Sequence, residues 1–190
     1  MKRIILTFSS LAYFWVIYFV KEGYLSFLPS QDLPWLYLFS AFGLMAVALL
    51  FGAAMLPLCT YFEQETLDTS KIESIEAAND NYLVNYIGFF LIATDMNDYV
   101  TLWLVFAFLF CLVYKSNVSY FNPAFLICGY KFYIVTTDLK TRIVLITKQT
   151  VKKPEDILPF SRKDEDGTKL QVHKINEYVF FQWTDSTRKS

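Results

Sequence analysis

The stretch NYLVNYIGFFLIATDMNDYVTLWLVFAFLFCLVYK, residues 81–115, decides how the rest of this chain is interpreted. Two apolar segments flank the five residues from Thr94 to Asp98, which carry two aspartates. In one continuous helix, both carboxylates would lie near the centre of a bilayer, at a cost of about 2.5–3.5 kcal/mol each. A tight turn at a membrane surface would leave both in water. The stretch therefore predicts a helical hairpin with spans at about 76–94 and 99–115.

Two further apolar runs predict two further spans, at about 4–20 and 35–58. The first follows a basic start, as a signal peptide also does, but it lacks a small-residue cleavage site before Lys21. The second has no charge in 24 residues. Lys and Arg are placed so that the positive-inside rule puts both termini in the cytoplasm. The expected class is a four-span α-helical membrane protein with its membrane domain at 1–115.

Residues 116–190 form the predicted second domain, a small antiparallel β-rich cytoplasmic domain. Its apolar and β-branched runs, separated by turn residues, predict about four strands: 124–137, 142–148, 169–175 and 177–183. From Lys115 onwards the chain has thirteen Lys/Arg and eight Asp/Glu, so this tail carries a net charge of +5.

The connection between the second and third spans, residues 59–80, is acidic. Ser70 followed by Glu73 fits a capping box, which predicts that a helix starts within Thr69 to Ala78 and continues into the third span. Two interpretations of the acidic residues stay open: a solvated connector, or a surface that attracts a basic partner.

Small residues make the second span slim. Ala48 and Gly52 have small-xxx-small spacing, and Gly43 precedes them in the same predicted span. Such spacing lets helix backbones approach closely. These residues are therefore the candidate seam of a homo-oligomer, or else they pack against the chain's own helices.

The sequence contains no pattern that predicts catalysis, a metal site or a cofactor site. The single histidine, His173, has no partner constellation, and Cys59, Cys111 and Cys128 lack metal-ligand spacing. The predicted spans contain almost no charge, which argues against a pump or transporter. We expect a protein that is not an enzyme.

Basic pairs in the tail are the candidate partner-binding residues, together with one apolar anchor: Lys152, Lys153, Arg162, Lys163 and Trp183. They could contact acidic membrane lipid or a partner protein. Direct binding of nucleic acid is not expected, because the basic residues alternate with acids and lack interleaved aromatics. Phe180 and Phe181 are either further anchors or part of the tail's own core.

Two segments of the tail, NPAFLICGYKFYIV at 122–135 and RIVLIT at 142–147, together with the four-span architecture, resemble the KwaA family, the membrane component of the bacterial Kiwa anti-phage system. The resemblance implies a homo-oligomeric inner-membrane protein that senses phage attack at the envelope. It also implies a cytoplasmic DNA-binding effector as partner.

Two classes of function remain open from the sequence. In the first, the chain is a sensor or scaffold that recruits or regulates an effector. In the second, it is a small oligomeric channel or pore. A channel requires polar residues along one face of a span, and Asn85 is the best of the few that qualify.

Overall fold

The chain folds into two compact units, a helical unit and a sheet unit. The helical unit comprises Met1–Met55 and Tyr82–Ala124, and the sheet unit comprises Leu56–Asn81 and Phe125–Ser190. The computed structural model describes the following residues: 2–22, 34–115, 122–154, 156–157 and 169–182.

The described part of the chain contains six α-helices: α1 (Lys2–Lys21), α2 (Pro34–Ala54), α3 (Leu56–Cys59), α4 (Asn79–Asp95), α5 (Tyr99–Lys115) and α6 (Pro123–Ile127). The two segments Lys2–Lys21 and Leu38–Cys59 are long and apolar enough to cross a membrane.

Aromatic side chains of α1 hold the helical unit together. Phe14 of α1 and Phe106 of α5 are buried with their ring centroids 5.9 Å apart. The ring centroids of Trp15 and Trp103 lie 4.7 Å apart beside them. Offset and edge-on aromatic pairs of this kind add about 0.5–1.5 kcal/mol each to the effect of burying the rings. Helix α1 therefore packs closely against α5.

The turn predicted between the two apolar segments of residues 81–115 is confirmed. Helix α4 ends at Asp95 and α5 begins at Tyr99. Both aspartates are exposed, and Asp98 accepts a hydrogen bond from the backbone N–H of Thr101 at 2.8 Å. This bond satisfies one of the N–H groups that a helix start leaves without a partner.

The prediction of four membrane spans, however, is wrong. The apolar helices at Tyr86–Asp95 and Tyr99–Lys115 are shorter than the two segments that are long and apolar enough to cross a membrane. At about 1.5 Å per residue, α5 is roughly 25 Å long and the apolar part of α4 roughly 15 Å, against a hydrocarbon core of about 30 Å. The polar start of α4 and the strand before it occupy residues that the sequence assigned to the third span.

The sheet unit is built on six strands: β1 (Glu63–Asp68), β2 (Ile72–Ala77), β3 (Lys131–Thr137), β4 (Arg142–Thr147), β5 (Lys169–Asn176) and β6 (Val179–Phe181). Their order in the sheet is β1-β5-β6-β4-β3-β2. Neighbours are antiparallel except β4 and β6, which are parallel, so the sheet is mixed. The expected purely antiparallel sheet of about four strands is therefore wrong.

The sheet curls, because its two edge strands are consecutive in sequence. Only the 3₁₀ turn Thr69–Lys71 separates β1 from β2. The four steps from Asp68 to Ile72 span at most about 14 Å, whereas the edges of a flat six-stranded sheet would lie about 24 Å apart. Buried residues from β2 to β6 and the partly buried Leu67 of β1 accordingly form one core.

The predicted helix start within Thr69 to Ala78 is also wrong, because these residues form the 3₁₀ turn and β2. Asp68, not Ser70, caps the turn, and its carboxylate accepts a hydrogen bond from the Ser70 N–H at 3.1 Å. A β-bulge interrupts the pairing of β2 with β3. Ile72 pairs with Thr137 and Ser74 with Thr136, so one residue is inserted.

The strands predicted at 142–148 and 169–175 agree with the structure. Of the strand predicted at 177–183, the structure has Val179–Phe181 as β6, and the two residues before it form a turn. The predicted strand at 124–137 is only half correct, because its first part is α6. Gly129 (φ 84°) follows α6 in the left-handed conformation that glycine adopts without strain, and β3 begins two residues later.

A buried tyrosine connects β3 to the segment after β4. The hydroxyl of Tyr133 accepts a hydrogen bond from the Val151 N–H at 3.1 Å and donates one to the Gln149 carbonyl at 3.2 Å. We expect Tyr133→Phe to lower the free energy of unfolding by about 2 kcal/mol, because the buried N–H loses its acceptor. Chemical denaturation measures this, and Tyr178→Phe, at an exposed residue, is the control. An unchanged stability of Tyr133→Phe would contradict the assignment.

Candidate functional site

A buried asparagine organises the polar groups of the helical unit. Asn122 is 2% exposed and directly precedes α6. Its Oδ1 accepts hydrogen bonds from the Tyr13 hydroxyl at 2.9 Å and from the Ala124 N–H at 3.0 Å. Its Nδ2 donates to the Ser9 Oγ at 3.1 Å. These four residues are called the Asn122 cluster below.

The sequence of α1 explains why the cluster forms there. Ser9 and Tyr13 are four residues apart, so they lie on the same face of the helix. The hydroxyl of Ser9 also donates to the Leu6 carbonyl at 2.9 Å, one turn back along the helix. Serine in a helix interior commonly satisfies its hydroxyl in this way. The Ser9 oxygen can therefore be buried and still accept from Asn122.

Gly52 of α2 lies directly against the cluster. A Cβ atom on Gly52 would lie 2.7 Å from Asn122 Oδ1 and 2.8 Å from the Ala124 Cβ. Both distances are shorter than normal van der Waals contacts, so only glycine allows α2 to approach this closely. Sequence reasoning did not identify Asn122 as a site residue, since its partners on α1 are more than a hundred residues away.

The three residues of the predicted oligomer seam have different environments. Ala48 is 6% exposed and packs with Tyr13 and Val16 of α1. Gly52 is buried in the Asn122 cluster. Gly43 is exposed, and a Cβ added there would meet nothing within 4 Å. Two of the three residues therefore pack inside their own chain, and the seam between copies stays a prediction.

The predicted partner-binding residues are described only in part. Lys152 and Lys153 are exposed, and their backbone N–H groups donate to the Asp156 carboxylate at 2.8 and 2.9 Å. These bonds lower the pKa of Asp156, so their contribution to stability is present at neutral pH and is lost as the pH falls through that lowered value. The other three residues lie outside the described part of the chain: Arg162, Lys163 and Trp183.

Charge in the sheet unit differs from the charge of the predicted tail. The unit contains thirteen Lys/Arg and fourteen Asp/Glu, because it includes the acidic connection that the sequence assigned elsewhere. Several of these acids lie on the edge strands, and three of them form ion pairs. Asp68 of β1 lies 3.8 Å from the Lys71 ammonium. Glu65 of β1 lies 3.4 Å from the Lys174 ammonium, and Glu73 of β2 lies 2.5 Å from Lys140. The excess positive charge of residues 115–190 is therefore balanced within one folded unit.

Phe180 and Phe181, for which the sequence left open whether they bind a partner or form the core, belong to the core of the sheet unit. Phe180 is 7% exposed and Phe181 is completely buried. The Phe181 ring centroid lies 5.1 Å from that of Tyr130. Burial raises the pKa of Tyr130 to about 12, so this phenol stays neutral at physiological pH.

Titratable groups in the described residues form no arrangement of the kind that binds a metal ion. The Nδ1 of His173 lies 3.2 Å from the Phe62 carbonyl oxygen. The histidine side chain therefore connects β5 to the residue that directly precedes β1. In the described part of the chain, the polar groups with the most specific geometry are those of the Asn122 cluster. Their hydrogen bonds hold the start of α6 against α1, which is a structural role and not acid–base catalysis.

Comparison with known proteins identifies the family. A family profile described as "Anti-phage protein KwaA" matches residues 2–181, nearly the whole chain. No curated protein and no solved structure matches the chain. The match confirms the resemblance noted from the segments at 122–135 and 142–147. The chain belongs to the KwaA family of anti-phage proteins.

Proposed function

We propose that this chain is a membrane-anchored sensor or scaffold in anti-phage defence. The helical unit detects phage attack at the bacterial inner membrane, and the sheet unit recruits or regulates a cytoplasmic effector. The family match supports the defence role. The apolar surface of α2 supports the membrane anchor, and this surface is the observation that carries the proposal.

Helix α2 exposes large apolar side chains along its length. Phe42 is 72% exposed and Val47 is 64% exposed. Only 22% of the most apolar window in Leu38–Cys59 is buried. A core helix of a soluble protein is mostly buried, and a contiguous apolar surface of this kind marks a site of contact with membrane or protein. The bilayer is the contact that also explains the length of the segment.

The described polar side chains of the helical unit, which do not include that of Asn85, favour a sensor over a channel. Buried hydroxyls on α1 donate to backbone carbonyls of the same helix: Thr7 to Arg3 at 2.9 Å and Ser10 to Thr7 at 2.8 Å. The amide of Asn122 is likewise bonded inside the unit. A conducting path needs polar groups that face water, whereas these groups are satisfied by the protein itself.

The edges of the sheet unit are the proposed contact for the effector. Strands β1 and β2 are the outer strands of the sheet. An exposed edge can pair with an extended segment of another protein, and charged side chains along it keep unwanted partners away. No group in the described residues suggests catalysis, so we propose that the chain acts through this partner and is not an enzyme.

A charge on the exposed face of α2 tests the membrane anchor. We expect Val47→Asp to lower the share of the protein in the membrane fraction and to weaken protection in phage plating assays, because an aspartate near the bilayer centre costs about 3 kcal/mol. Val47→Leu, at the same exposed position, should keep both properties.

Fractionation of cells and phage plating measure the two properties separately. If Val47→Asp remains in the membrane and protects, the anchor is assigned to the wrong surface. If the parent protein, purified from solubilised membranes, recovers no soluble protein encoded beside it, the scaffold part of the proposal is wrong.

A further inference from the structure

A groove of about 370 Å³ lies between α1, α2 and α4 in the helical unit. Its wall is apolar except at two positions, Lys21 and Thr94. The hydroxyl of Thr94 donates to the Leu91 carbonyl at 2.8 Å, so it is satisfied inside its own helix. The groove therefore offers a hydrocarbon surface with one cation in its lining.

The ammonium group of Lys21 is held at the turn between α4 and α5. Its Nζ donates to the Met96 carbonyl at 2.5 Å and to Asn97 Oδ1 at 2.9 Å. One carboxylate, that of Glu22, lies 3.7 Å away. The carboxylate of Asp98 caps α5 instead. Neutral acceptors thus fix the position of this cation, while its side chain stays 28% exposed.

The lining of the groove suits a phospholipid. On α2 it runs from Leu38 to Met45, which is about 10 Å along the helix axis. An unbranched acyl chain can lie along an apolar wall of this length, and the phosphate of the same lipid is an anion. A phospholipid therefore matches both the apolar wall and the one cation in the lining, Lys21.

We propose that the groove binds one acyl chain of a membrane phospholipid, with the lipid phosphate at the Lys21 ammonium. The inference rests on the membrane anchor proposed above. The exposed ring of Phe42 lies at the groove, so in a bilayer an acyl chain can enter without crossing water. A phosphate beside a fixed ammonium forms a charge-assisted hydrogen bond.

The test is native mass spectrometry of the full chain after reconstitution in nanodiscs of phosphatidylethanolamine and phosphatidylglycerol and extraction into mild detergent. We expect the parent to retain at least one phospholipid. Ala41→Trp fills the groove and should lower the retained lipid at least tenfold. Val47→Trp, on the exposed face of the same helix, is the matched control and should retain it.

A second pair of variants tests the cation without changing the apolar wall. Lys21→Gln should lower lipid retention several-fold, and Lys21→Arg should restore it. Equal retention by the parent, Ala41→Trp and Lys21→Gln overturns the proposal. A loss of oligomer mass in Ala41→Trp with unchanged lipid retention assigns the groove to a second copy and overturns it as well.

The membrane anchor is checked on the same samples by fractionation. A parent that sediments with membranes but retains no lipid contradicts the groove alone. A parent that does not sediment with membranes contradicts the anchor, and with it the groove.

Discussion

Replacing Gly52 with leucine is expected to destabilise the helical unit by about 5 kcal/mol and to abolish phage protection. The first atom of any side chain on Gly52, its Cβ, would already lie 2.7 Å from Asn122 Oδ1. Forcing a larger side chain into a packed interior costs up to about 3 kcal/mol. Displacing the Asn122 amide also breaks two or more hydrogen bonds at about 1 kcal/mol each. Thermal unfolding in detergent measures the change.

Gly43→Leu is the matched control, since both glycines lie on α2 and nothing lies within 4 Å of a Cβ on Gly43. We expect its melting temperature to be unchanged or higher, because leucine is the better helix former. The same pair tests the predicted oligomer seam. If Gly52→Leu melts like the parent but has a smaller oligomer mass, the close packing inside the chain is not the role of this glycine.

Asn122→Ala is expected to lower the free energy of unfolding of the helical unit by about 4 kcal/mol. The variant removes the acceptor of both the Ala124 N–H and the Tyr13 hydroxyl, and the donor to Ser9. A buried N–H without an acceptor costs about 1–3 kcal/mol, and each of the other bonds contributes about 1 kcal/mol. Denaturant titration in mild detergent gives the value.

A double-mutant cycle separates the hydrogen bonds from the volume that Asn122→Ala also removes. Tyr13→Phe deletes only the hydroxyl, so it should cost about 1 kcal/mol in the parent and much less in the Asn122→Ala background. Additive effects of the two substitutions would mean that the Tyr13–Asn122 bond does not contribute. Tyr61→Phe, at an exposed residue, provides a control for loss of a tyrosine hydroxyl.

The parts of the fold that sequence predicted correctly depend on local patterns. The polar residues between Thr94 and Asp98 interrupt an apolar run, and a turn is the local solution that exposes both aspartates. Apolar and β-branched runs with flanking turn residues likewise identified β4 and β5. Burial of Phe181 agrees with its place in an apolar strand.

The parts that sequence missed depend on contacts between distant residues. The bulge in β2 places Ile72 and Ile75, three residues apart, against the same core, and this spacing is the one a helix would give. Only the pairing of this segment with β3 distinguishes a bulged strand from a helix. The order of the sheet and the Asn122 cluster cannot be derived from local pattern either, because their partners are separated by up to 113 residues.

The placement of β1 and β2 at opposite edges of one sheet has a consequence for synthesis. Asp68 of β1 pairs with Lys169 of β5, so about 100 residues must be translated between the two. At about 5–20 residues per second, β1 waits on the order of 5–20 s for its partner. During that interval the carboxylates of Glu63 and Glu65, on an unpaired strand, oppose pairing with other nascent chains. The acidic residues of β1 thus limit aggregation of the chain during its synthesis, before β1 pairs with β5 in the folded sheet.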